Sequence, residues 1–99
     1  MSRNISLDSV VVASGQQIHC DLAGEAAILN MKNGVYYGLD PVGARIWNLL
    51  QEPRTVRAIR ETILEEYAVE SKQCERDLLA LLENLQGEGL IEVNNAGPS

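Results

Sequence analysis

Residues 26–50 read AAILNMKNGVYYGLDPVGARIWNLL, and the order of signals in that stretch decides the fold. Ala26 to Met31 and Val35 to Leu39 are short runs rich in aliphatic and aromatic side chains. Lys32-Asn33-Gly34 between them is a turn sequence, so the two runs read as a β-hairpin. Asp40 and Pro41 follow at once. Aspartate is a good helix N-cap and proline suits the first helical position, where its missing N–H has no partner to lose. Val42, Ile46, Trp47, Leu49 and Leu50 then recur at helical spacing until Glu52-Pro53-Arg54 stops the helix.

The turn admits two registers. A two-residue Asn-Gly turn pairs Lys32 with Val35. A three-residue loop with Gly34 in the left-handed conformation pairs Met31 with Val35. A one-residue slip moves every side chain to the other face. The longer loop gathers Ala27, Leu29, Met31, Val35, Tyr37 and Leu39 on one face and leaves Ala26, Ile28, Asn30, Tyr36 and Gly38 on the other. The shorter one mixes Asn30 with Leu39 and Gly38 with Leu29. The three-residue loop is therefore expected.

Working outward, Gln17 to Leu22 alternates polar and apolar residues, a half-buried strand that completes a three-stranded antiparallel sheet. Positions 1–16 form a lead-in, with a short strand at Val10-Val11-Val12-Ala13. Downstream, Thr55 caps a second helix carrying Val56, Ile59, Ile63 and Leu64 on its inner stripe. Ser71 caps a third, whose buried stripe is Cys74, Leu78, Leu81, Leu82 and Leu85, and Gly87 or Gly89 ends it. Leu90 to Val93 is a short extended segment, and 94–99 a frayed tail. The expectation is an α+β domain over 17–93: a small three-stranded antiparallel sheet followed by three helices that cover one of its faces. The last two helices resemble a winged helix-turn-helix pair.

The 99 residues suffice for one domain. Apolar residues make up 45% and charged ones 22%, a globular composition, and with four aromatic residues the core must be aliphatic. The formal charge of −6 repels phosphate backbones and acidic membranes but not a basic or apolar peptide. Cys20 and Cys74 lack the density of a secreted disulfide framework, and no signal peptide or membrane span is visible, so the expected compartment is the cytoplasm.

Catalytic chemistry is sparse. His19 lies on the polar side of a strand with no nucleophile at a motif spacing. Cys20 and Cys74 alternate with apolar neighbours and read as small core residues. One histidine and two cysteines fall short of a structural zinc set, and the glycines form no phosphate-binding loop. No catalytic residue, metal or cofactor is expected.

The run Leu29-Asn30, Gly34-Val35-Tyr36-Tyr37-Gly38-Leu39-Asp40 and Gly43-Ala44-Arg45-Ile46-Trp47-Asn48-Leu49-Leu50 resembles the core signature of PqqD-like proteins. The nearest subgroup is the stand-alone small protein of lasso-peptide biosynthesis. Cys74-Glu75-Arg76-Asp77-Leu78-Leu79, with Leu82, Leu85 and Gly89-Leu90-Ile91, resembles that family's third helix and exit. The resemblance covers roughly positions 10 to 93. It implies a non-catalytic element that binds the leader of a ribosomally made precursor peptide as an added strand, in the groove against the third helix. It also implies a leader peptidase of the cysteine-protease kind as partner. An open sheet edge supports such a role, because it is a template for pairing. Val35, Tyr36, Tyr37, Gly38 and Leu39 would supply the ladder, and Asp77, Leu78, Leu81 and Asn84 the opposite wall.

Two other readings compete. A winged-helix DNA-binding regulator fits the element order, but the third helix sets Glu75, Asp77 and Glu83 against Lys72 and Arg76, a poor recognition helix. A leader-binding chaperone for a radical enzyme keeps the peptide role and changes the pathway.

Overall fold

Ile28, at 0% exposure, anchors the sheet on the helices, and the register around it departs from the expected one. In this computed structural model, residues 5–15, 17–22 and 25–95 are described, with side chains for 5–15 and 26–94. Strands β1 (Ser9–Ala13), β2 (Gln17–Leu22), β3 (Glu25–Asn30) and β4 (Val35–Leu39) are followed by α1 (Pro41–Leu49), β5 (Arg54–Thr55), α2 (Val56–Glu66), α3 (Ser71–Gly87) and β6 (Ile91–Asn95). The α+β class, the antiparallel sheet and the three helices are as the sequence predicts. The expected burial of Cys20 lies outside the described side chains. Among the described residues, no helix is long and apolar enough to cross a membrane.

The sheet β2-β3-β4 pairs Asn30 with Val35, Leu29 with Tyr36 and Ile28 with Tyr37. The loop therefore spans Met31 to Gly34, one residue longer than expected, and neither weighed register is correct. Gly34 has φ of 72° and donates to the Asn30 carbonyl at 2.8 Å, closing a turn that a side chain at this φ would strain. The register differs because Asn30, although polar, faces inward. Asn30 is 5% exposed and shares the core face with Ile28, Tyr37 and Leu39. Its amide is satisfied there, donating to the Glu88 carbonyl and accepting from Lys32 N–H, so its burial leaves no unmet polar group.

A second sheet, β5-β1-β6, was not foreseen. It joins the two chain ends: Val11 faces Val93 and Ala13 faces Ile91. The segment set apart as a lead-in thus contributes β1, with Val11 fully buried. Asn94 and Asn95, assigned to the tail, continue β6. Residues 1–4, 16 and 96–99 lie outside the described residues.

The caps explain the helix boundaries. The Asp40 carboxylate accepts from Gly43 N–H at 2.6 Å, and the Thr55 hydroxyl accepts from Ala58 N–H at 3.1 Å. For α3 the expected cap is displaced by one residue. Glu70 is the N-cap, without a side-chain bond, and Ser71 is already helical. At the far end Gly89, with φ of 75°, is the closing glycine. Its N–H donates to the Gln86 carbonyl and Leu90 N–H to the Leu85 carbonyl, while Leu85 and Leu90 are both buried. This double bond pattern with an apolar clasp satisfies carbonyls that a helix end otherwise leaves open.

Candidate binding groove

Strand β4 has β3 as its neighbour on one side and, among the described residues, no strand on the other. In an antiparallel pair, residues alternate between those bonded to the partner strand and those whose N–H and C=O face away. The Asn30 carbonyl points across the hairpin to Gly34 N–H, which marks the Asn30–Val35 pair as facing inward. By alternation Tyr37 and Leu39 bond β3, and Tyr36 and Gly38 turn their backbone groups to the open edge.

Beside that edge lies a cavity of about 330 Å³. Tyr37, Gly38 and Leu39 form its sheet wall. Val42 and Ile46 of α1 and Ile63 of α2 reach it from below, and Val69 from the connector that precedes α3. The opposite wall is α3, through Gln73, Cys74, Asp77, Leu78 and Leu81. These α3 positions recur every three or four residues and so share one helix face. Leu78, Ile63 and Ile46 are buried, making an apolar floor, whereas Gln73 and Asp77 are exposed at the rim.

Polar groups are few. Gln73 Nε2 donates to both Asp77 carboxylate oxygens, at 2.9 and 3.1 Å. Asp40 stands where the groove meets α1, with one oxygen held by its capping bond. Asp40 and Asp77 are the charged side chains of the lining, and no lysine or arginine is among the described residues that form it. Cys74 sits on the floor at 8% exposure. Burial pushes its thiol pKa up, against the opposing field of Arg60 and with that of Asp77 and Glu75.

Of the nine residues singled out in the sequence, Tyr37, Gly38, Leu39, Asp77, Leu78 and Leu81 meet around this cavity. Val35 and Tyr36 are exposed at the hairpin end, and Asn84 is exposed further along α3, outside the lining. Gln73, Asp40, Val69 and, on the floor, Ile46, Ile63 and Cys74 were not anticipated as lining. Gln73 was legible: it stands one helical turn before Asp77, where two side chains on one face meet. Ile46 and Ile63 look like any core positions in sequence, since a floor and a core use the same stripe.

Residues 25–91 match the family model described as coenzyme PQQ synthesis protein D (PqqD). Among solved structures, TbiB1 in complex with the TbiA(beta) leader peptide is similar at 36% identity, with a TM-score of 0.73 over 82% of this chain and 94% of that one. A lasso peptide synthetase B1 complexed with the leader peptide is similar in fold at 22% identity, with a TM-score of 0.72 over 83% of this chain and 96% of that one. No curated protein matches the chain significantly.

Proposed function

The chain belongs to the PqqD family, and on that premise we propose that it is a non-catalytic adaptor that binds the leader segment of a ribosomally made precursor peptide. The observation that carries the reading is the open edge of β4 beside an apolar groove. A guest strand pairs with the outward groups of Tyr36 and Gly38, each hydrogen bond contributing about 0.5–1.5 kcal/mol net. Backbone pairing tolerates varied sequence, so selection falls to the guest side chains that enter the groove. TbiB1, the relative at 36% identity, is described in complex with a leader peptide, which supports the same class of ligand here.

We further propose that the bound leader is presented to a leader peptidase of the cysteine-protease kind in lasso-peptide maturation, in the cytoplasm where precursors are made. Nucleic acid is disfavoured on charge. Arg57 pairs with Asp8, and Arg60 with Glu61 and Glu75, so the cations of α2 are largely neutralised within the chain.

The test is a titration of ¹⁵N-labelled protein with the TbiA(beta) leader peptide, the ligand in the complex of the relative at 36% identity. Amide shifts concentrated in 35–39 and 73–81 are expected. Saturable binding that perturbs only the α2 surface would refute strand addition at β4.

A further inference from the structure

Strand addition at β4, on which this inference rests, fixes the geometry of the guest more tightly than its backbone alone. Side chains of a strand alternate between faces, so guest residues opposite Tyr37 and Leu39 turn toward α3, and their neighbours turn away. Two guest side chains that share the groove are about 7 Å apart along the strand. Successive positions on the facing stripe of α3, such as Asp77 and Leu81, are about 5–6 Å apart. One inward guest side chain can therefore enter the apolar floor at Leu78 while the next lies along the rim.

The rim is anionic. Asp77 projects there with its carboxylate steadied by Gln73, and a carboxylate so held keeps acceptor capacity for further donors. Asp40 adds a second negative charge at the α1 end. The cations of α3, Lys72 and Arg76, are exposed and outside the lining, and the ion pairs among the described residues join neither of them to Asp77. An acidic guest residue meets repulsion in this setting, and a cationic one meets a fixed partner beside an apolar wall that limits screening.

We infer that the groove selects an extended peptide carrying a lysine or arginine beside Asp77, on the same strand face as an apolar residue that fills the floor. Asp77 is then a specificity-determining residue. It repels acidic segments as much as it attracts basic ones, which separates the cognate strand from others that could pair with the same edge.

The test uses displayed random peptides of about ten residues, the upper length of an ordinary strand. They are selected in parallel on the wild type, Asp77→Asn, Asp77→Lys and the control Glu83→Lys, an exposed α3 residue outside the groove. Wild type and the Glu83 control are expected to enrich lysine or arginine at an even offset from an apolar residue. Asp77→Asn loses that preference. Asp77→Lys favours aspartate or glutamate there and binds the wild-type selection roughly fivefold or more weakly. The inference is overturned if wild-type binders show no basic preference. It is equally overturned if the preference survives in Asp77→Lys, or if the basic residue falls at odd offsets, on the outer face. A selection that yields no binder on any of the four proteins instead refutes strand addition itself.

Discussion

The side-chain Nδ2 of Asn30 donates to the backbone carbonyl of Glu88 at 2.8 Å, across 58 positions of sequence. Asn30 ends β3, just before the hairpin whose far strand is the open edge, and Glu88 is the C-cap of α3. The bond thus ties the hairpin that carries one wall of the groove to the helix that forms the other. Because Asn30 is buried, its replacement leaves the Glu88 carbonyl without this donor and the Lys32 N–H without its acceptor.

Asn30→Leu is therefore expected to destabilise the fold by about 1–3 kcal/mol, the net loss of two hydrogen bonds of about 0.5–1.5 kcal/mol each. For a domain of this size, each 1 kcal/mol lowers Tm by roughly 4–8 °C. Urea unfolding of the two proteins checks it. A difference within about 0.5 kcal/mol would place the variant among neutral surface changes and remove Asn30 as the hairpin's anchor.

Two proline substitutions on adjacent residues should behave differently. Tyr36→Pro deletes an N–H that faces the open edge, where proline is tolerated. The variant should fold and bind a leader peptide more weakly, by about one hydrogen bond or 0.5–1.5 kcal/mol. Tyr37→Pro deletes an N–H that bonds β3 and should lose stability instead. Thermal melts with parallel binding isotherms separate the two effects, and a reversed pattern would show that the strand presents its other set of backbone groups outward.

That alternation marks where the sequence was informative and where it was not. Asp40-Pro41 and Thr55 announced their helices because a cap is a local chemical event, and the structure shows both bonds. Ser71 misled by one position because the helix begins there without using its hydroxyl as a cap. The hairpin loop failed for a longer-range reason. Asn30 can face the core only because Glu88 waits there, and no local pattern reports a partner so distant. The sheet that joins β1 to β6 was hidden in the same way, although Val11 and Ile91 were visibly apolar. The groove was half legible: Asp77, Leu78 and Leu81 share a stripe, but only the packed fold separates an exposed wall from core.

The α1–α2 contact carries a pH signature. Arg45 Nε and a terminal nitrogen donate to the two Glu66 carboxylate oxygens at 2.8 and 2.7 Å. Hydrogen bonding to Arg45, chiefly, and its charge hold the Glu66 pKa below the ordinary carboxylate range, with partial desolvation opposing. A depressed folded pKa gives stability that is present above the unfolded value and lost as pH falls through the folded one. Wild type should therefore exceed Glu66→Gln in stability at neutral pH, and the gap should close as the pH drops below about 4. Both side chains are 37% exposed, so about 1 M salt should also narrow it. Urea midpoints across pH provide the measurement. A gap that widens on acidification would contradict the assigned pairing.

Cys74 offers a probe of occupancy from inside the groove. Its thiol lies on the floor at 8% exposure, among apolar neighbours that disfavour the reactive thiolate. In a Cys20→Ser background, iodoacetamide should modify native Cys74 more slowly than the urea-unfolded chain, by roughly tenfold or more, since reaction needs both access and ionisation. A guest strand lays side chains over the same floor, so a saturating leader peptide should slow the reaction further. Labelling as fast as in the unfolded chain would mean that the floor is open to solvent. Unchanged protection with the leader bound would mean that the guest's side chains stop at the rim. Alkylated protein supplies the converse, because a carboxamidomethyl group on the floor occupies the volume that an apolar guest residue needs. Leader-binding capacity should fall in proportion to the fraction modified, while Tyr36 and Gly38 still present an intact edge.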